Sequence, residues 1–140
     1  MTRVLVVDDD SAIRQVIAFA LSDEGFEVDE AKDGRAALEA VDRQCPDLIL
    51  LDMRMPGMDG WEFVKRYRER LPPQAPIIVL TAAQDAAQRG ADVDAAGYLS
   101  KPFDLDMLLE KVAALAGKIG ADPSEQTDGE VGPEPANLAP

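Results

Sequence analysis

Short aliphatic runs recur along the chain, and each is followed at once by a polar residue. Residues 4–7 are wholly aliphatic and mostly β-branched, and Asp8, Asp9 and Asp10 end the run. Residues 48–51 form a second unbroken apolar run that stops on Asp52, with a Pro-Gly turn at Pro56 and Gly57 just beyond. Residues 76–80 form a third, ending on Thr81, and Tyr98-Leu99 a shorter one before Lys101-Pro102. The run at 48–51 predicts a strand buried on both faces, the run at 76–80 another buried strand, and those at 4–7 and Tyr98-Leu99 short strands. Residues 26–31 alternate instead, which predicts a strand nearer the sheet edge.

Between the runs the period changes to that of helices. Asp10 or Ser11 is placed to cap a helix whose inner face carries Ile13, Val16, Ile17, Ala20 and Leu21, and Gly25 stops it. Asp33-Gly34 opens a second helix with Ala37, Leu38 and Val41 inward. Asp59 or Gly60 opens a third, with Phe63, Val64, Tyr67 and Leu71 on one face and Trp61 packed at its first turn; Pro72 and Pro73 end it. Residues 84–96 predict a weaker helix, with Gly90 inside it and few large apolar groups. Asp104 caps a last helix with Leu105, Leu108, Leu109, Val112 and Leu115 inward. Five strand–helix alternations predict an α/β fold with a parallel sheet and helices on both faces.

Composition narrows the function. From residue 118 onward the chain holds four prolines, three glycines, five acids and one lysine, a composition expected to stay disordered. The expected division is therefore a folded domain over 1–117 and an acidic Pro/Gly-rich tail over 118–140. A net charge of -13 argues against direct nucleic-acid binding. The single cysteine, Cys45, has no internal partner, no apolar run reaches membrane-spanning length, and the N-terminus does not read as a signal peptide. A cytoplasmic protein with no membrane insertion is expected. Histidine is absent, which excludes a Ser-His-Asp triad, a Cys-His pair and His-ligated zinc. Any chemistry must rest on carboxylates, Lys, Thr and a hard cation.

In an open parallel sheet, ligands bind outside the carboxyl ends of the strands. Asp8 and Asp9 follow the first strand, Asp52 the third, Thr81 the fourth and Lys101 the fifth, so three carboxylates, a hydroxyl and an ammonium should share one rim. A carboxylate ending a buried strand must be exposed at the sheet mouth or paired with a cation. Three adjacent carboxylates would not all ionise without a cation among them, and all-oxygen ligation with room for water suits Mg²⁺. Lys101 is a point charge suited to a phosphoryl oxygen.

Together, Val6-Val7-Asp8-Asp9-Asp10, the stretch from Asp47 through Asp52, Pro56, Gly57 and Asp59 to Gly60, Thr81-Ala82, and Gly97-Tyr98-Leu99-Ser100-Lys101-Pro102-Phe103 closely resemble the receiver domain of bacterial two-component response regulators. The resemblance covers residues 3 to about 117. It implies a flavodoxin-like (βα)5 fold with a five-stranded parallel sheet in the order 2-1-3-4-5. It implies that Asp52 is the phosphoacceptor, taking its phosphoryl group from a sensor histidine kinase or phosphotransfer protein. Asp8, Asp9, Asp52 and the backbone carbonyl of Arg54 would hold Mg²⁺, and Lys101 and Thr81 would bind phosphoryl oxygens. Lys101-Pro102 would be a cis peptide, and Thr81 and Tyr98 would be the switch residues. The lack of histidine then fits, since the phosphohistidine lies on another molecule.

On this reading the protein is no enzyme beyond catalysing its own phosphorylation and dephosphorylation. It is expected to be a single-domain regulator that signals by binding a downstream protein target. Two other classes compete. A haloacid-dehalogenase-like phosphatase also uses a strand-end aspartate with Mg²⁺ and a lysine, but its first-strand signature Asp-x-Asp-x-Thr/Val meets Ala12 in the last place here. A phosphorylation-independent interaction module would be favoured by a missing acid or lysine, and none is missing.

Overall fold

The computed structural model describes residues 2–70, 74–82 and 95–120. Five strands, β1 (Arg3–Val7), β2 (Glu27–Ala31), β3 (Leu48–Asp52), β4 (Ile77–Ala82) and β5 (Gly97–Lys101), form one parallel sheet in the order β2-β1-β3-β4-β5. Among the described residues four helices cover it: α1 (Ser11–Asp23), α2 (Gly34–Arg43), α3 (Gly60–Arg68) and α4 (Leu105–Gly120). This is the expected flavodoxin-like order. The helix expected over 84–96 lies, through residue 94, outside the described residues, as do Leu71, Pro72, Pro73 and the segment 121–140. The last helix runs to Gly120, three residues past the point where the composition changes.

Side chains alternate between the two faces of the sheet and build two separate cores. Leu5, Val7, Ile49, Leu51, Ile77 and Val79 pack with Leu38, Val41, Phe63 and Tyr67 of α2 and α3, and Trp61 lies against this cluster as expected. Val4, Val6, Leu48, Leu50, Ile78 and Leu80 pack with Ile17, Leu21, Leu108 and Val112 of α1 and α4. The three middle strands are apolar on both faces because both faces are covered. Among the described residues the edge strand β2 pairs only with β1, and it keeps Glu27 and Glu30 exposed.

Each helix is started by an aspartate. Asp10 accepts from the amides of Ala12 and Ile13, Asp33 from that of Ala36, Asp59 from that of Glu62, and Asp104 from that of Asp106. These side chains satisfy donors that the first helical turn leaves unpaired. One expectation for α1 fails. Ile17 and Leu21 are buried and Ile13 and Ala20 half-buried, but Val16 is 55% exposed while Ala18 is buried. Val16 and Ala18 flank Ile17, each about 100° round the helix from it, and only one flank is covered.

Candidate functional site

Strand order reverses between β1 and β3, whose carboxyl ends carry Asp8 and Asp52. Such a reversal opens the crevice in which parallel sheets bind ligands. Asp8 is wholly buried and Asp52 is 5% exposed, while Asp9 is open to solvent. Of the two ways to keep a strand-end carboxylate, the fold uses the second: a cation. Lys101 Nζ donates to Asp8 Oδ2 at 2.9 Å and stands 3.4 Å from Asp52 Oδ2. Its position is fixed by β5, where Lys101 pairs with Ala82 of β4, and the Lys101-Pro102 peptide is cis.

One further bond to each buried acid comes from the local backbone. Asp8 Oδ1 accepts from the amide of Asp10 at 2.9 Å, and Asp52 Oδ1 from the amide of Arg54 at 3.2 Å. One ammonium between two acids leaves the site short of positive charge. Burial therefore pushes the Asp52 carboxyl up to about 6; Lys101 pulls it down, and the charge of Asp8 pushes it up again. Burial also works against the Lys101 ammonium, but its hydrogen bond to Asp8 and the charge of Asp52 outweigh that, and its pKa is raised.

Asp8, Asp9 and Asp52 each offer an oxygen, all within 4.8 Å of one another. An all-oxygen, anionic, partly open donor set with excess negative charge fits a hard divalent cation and can hold one. An apolar groove of about 730 Å³ opens beside the acids, lined by Ile13, Val16 and Ile17 of α1 and by Phe103 and Leu105, together with Asp52, Arg54 and Lys101. Exposed Val16 belongs to this groove.

The structure thus brings together Asp8, Asp9, Asp52 and Lys101. Thr81 lies on β4 opposite Ser100, next to the Ala82–Lys101 pair; Tyr98 lies on β5 opposite Val79 and is 46% exposed. A participant with no signal in the sequence is Arg14, whose Nη1 donates to the carbonyl of Asp8 at 2.8 Å. Polar residues on a helix flank look alike in a hydropathy pattern, so periodicity could not single it out.

Comparison with known proteins agrees with this geometry. A family model, the response regulator receiver domain, matches residues 4–113. The sensory transduction protein RegX3 of Mycobacterium tuberculosis is 37% identical over 131 residues, covering 92% of this chain and 57% of that protein. The response regulator MprA of Mycolicibacterium vanbaalenii is 41% identical over 122 residues, covering 86% of this chain and 52% of that protein. The chain thus spans just over half the length of these curated relatives. The chemotaxis response regulator CheY4 of Vibrio cholerae superposes with a TM-score of 0.73 at 39% identity, covering 82% of this chain and 98% of that one. The Thermotoga maritima response regulator TrrA, in complex with Mg²⁺-BeF, does so with a TM-score of 0.72 at 37% identity, covering 82% and 99%. With the family model matched from β1 into α4, over both acid-bearing strand ends and Lys101, the chain belongs to the response regulator receiver domain family.

Proposed function

We propose that the chain is a phosphorylation-dependent switch in which Asp52 accepts a phosphoryl group from a phosphohistidine on a sensor histidine kinase or phosphotransfer protein. One observation carries the reading: a nearly buried strand-end carboxylate lies beside both Lys101 and two further acids. As the P–N bond of the donor breaks, an Asp52 oxygen forms the new P–O bond, and the released imidazole nitrogen keeps the electron pair. These 140 residues hold no histidine to serve as donor, so the donor lies outside them. The apolar groove that reaches Asp52 gives such a donor a route to it.

Asp8, Asp9, Asp52 and the Arg54 carbonyl are the residues that would hold Mg²⁺; the clustering of the three acids supports the site, and the similar protein TrrA, solved in complex with Mg²⁺-BeF, supports the choice of ion. When bound, the ion supplies positive charge to the phosphoryl oxygens. Lys101 has three donors, so it can turn from Asp8 and Asp52 to a phosphoryl oxygen without leaving its place on β5. Thr81 is assigned the hydroxyl that donates to another phosphoryl oxygen, and Tyr98 the ring that answers it by turning inward from its exposed position. The face that includes β5 and α4 would then bind the downstream target differently. On this reading the chain turns over no substrate other than its own phosphoryl group.

Incubation with Mg²⁺ and a small acyl phosphate, followed by intact-mass measurement, tests the assignment. The native chain should gain one phosphoryl mass and Asp52→Asn none; stoichiometric labelling of the folded Asn variant would overturn it. Release of product from a phosphomonoester at many turnovers would instead favour the phosphatase class. With the two tyrosines labelled as 3-fluorotyrosine, phosphorylation should reduce the solvent-isotope shift of Tyr98 and leave buried Tyr67 unchanged. An unmoved Tyr98 signal in phosphorylated protein would remove it from the switch.

A further inference from the structure

The backbone of Asp8 is held on both sides of its Cα. Its amide donates to the carbonyl of Ala31 on β2 at 3.1 Å. Its carbonyl accepts from Arg14 Nη1 at 2.8 Å, and the same guanidinium donates from Nε to Glu30 Oε1 at 3.0 Å. Glu30 belongs to β2 and Arg14 to α1, so one planar group ties a helix, an edge strand and the turn between β1 and α1. The Arg14 side chain is 16% exposed, and its bond to the Asp8 carbonyl is the sheltered one of the two; Glu30, 41% exposed, holds the guanidinium from the solvent side.

The carbonyl that Arg14 grips belongs to the peptide plane that joins Asp8 to Asp9. That plane is rigid, so rotating it carries the amide of Asp9 with it and re-aims the Asp9 side chain. Asp9 is the exposed member of the three acids and stands in the turn rather than in a strand. It lies outside the regular ladder of the sheet, and the peptide that leads into it is the one Arg14 holds.

We propose that Arg14, braced by Glu30, is a positioning residue for the divalent-cation site: it fixes the Asp8–Asp9 peptide so that Asp9 meets Asp8 and Asp52 at ligand distance. The proposal rests on the reading that these three acids hold Mg²⁺. It makes a claim opposite in sign to simple electrostatics. Arg14 is a cation near an anionic metal site, so its charge alone opposes a second cation. Removing it would tighten Mg²⁺ binding if charge decided, and weaken it if position decides.

The test is calorimetric titration of MgCl₂ into the full native chain, Arg14→Met and Arg14→Lys, well below each protein's melting temperature. Methionine keeps the apolar stem and loses both hydrogen bonds. Lysine keeps the charge but cannot donate to the Asp8 carbonyl and Glu30 in the same planar arrangement. Loss of an outer partner of a metal ligand typically weakens affinity about tenfold or more, and Arg14→Met should show a loss of that order. Arg14→Lys should also bind more weakly than the native chain, by a smaller factor. A purely structural role would lower the melting temperature and leave the affinity of the folded protein unchanged.

Native binding with unchanged or tighter binding in Arg14→Met overturns the inference and leaves the Mg²⁺ reading standing. Should the Met variant fail to fold, Arg14→Lys decides: affinity equal to native overturns the proposal. Failure of the native chain to bind Mg²⁺ overturns the parent reading and this one with it.

Discussion

Withdrawing Asp52 from water disfavours its charged form, and Lys101, shared with Asp8, only partly compensates. The folded-state pKa, pushed from 3.8 to about 6, makes the metal-free domain sensitive to pH. Below about pH 4 Asp52 is protonated in both folded and unfolded chains and contributes nothing to the difference. Between pH 4 and 6 the unfolded chain loses its proton first, so stability falls as pH rises, by up to about 3 kcal/mol from this group. Asp52→Asn removes the titration while keeping the shape. In the absence of divalent cations the variant should be more stable than native at pH 7.5, by roughly 1–3 kcal/mol in urea unfolding, and equal to it near pH 4. A variant no more stable at pH 7.5 than at pH 4, relative to native, would mean that Lys101 fully neutralises the pair. Mg²⁺ should narrow the gap at pH 7.5, because binding to the folded state adds stability by mass action only where the acids are intact. Asp9→Asn should lose that Mg²⁺ response; a melting shift equal to native would take Asp9 out of the ligand set.

At the scale of elements, the residues that face the crevice were readable because parallel strands buried on both faces leave few places for polar groups. Asp8 and Asp52 were found from that constraint, and so was the strand each one ends; Lys101 ends the edge strand β5 and was found only as the polar residue closing a short apolar run. The pattern could not tell whether Asp52 is open or paired, since that depends on where β5 places Lys101, 49 positions away in the chain. Nor could it tell which flank of α1 is covered, which is why Val16 was expected inside. Close backbone packing was equally hidden. A Cβ on Gly60 would lie 2.6 Å from Met53 Sδ and 2.7 Å from Met53 Cα, so the start of α3 sits directly on the end of β3. Met53 separates Asp52 from Arg54, so Gly60→Ala must displace the site as well as the helix. A loss of about 1–3 kcal/mol is expected, accompanied by slower acyl-phosphate labelling of Asp52. Gly57 provides the contrast: its φ is +73° but nothing lies within 4 Å of an added Cβ. Gly57→Ala should lose only about 1–2 kcal/mol from the left-handed backbone, with labelling less affected. Equal kinetic effects of the two substitutions at matched stability would argue against the contact with Met53.

For the molecule as a whole, two cores on opposite faces of one sheet are filled, among the described residues, by side chains from Val4 to Ala116. The chain is strongly acidic at -13, and compaction brings like charges together. We propose that the segment after Gly120 lies outside this folded unit, because it adds acids and prolines but only Val131 and Leu138 as large apolar residues. If so, shortening the chain to Gly120 removes negative charge and no core contact. Two consequences follow in sign. At 0.15 M salt, where the screening length is about 8 Å, the melting temperature should stay within about 2 °C of the full chain. At low salt, where self-repulsion reaches further, the shortened chain should be the more stable of the two, never the less. A scan of melting temperature against salt for the two lengths tests both at once. A shortened chain that melts several degrees lower at every salt concentration would show that residues beyond 120 contribute packing, and would move the boundary of the folded unit past the end of α4.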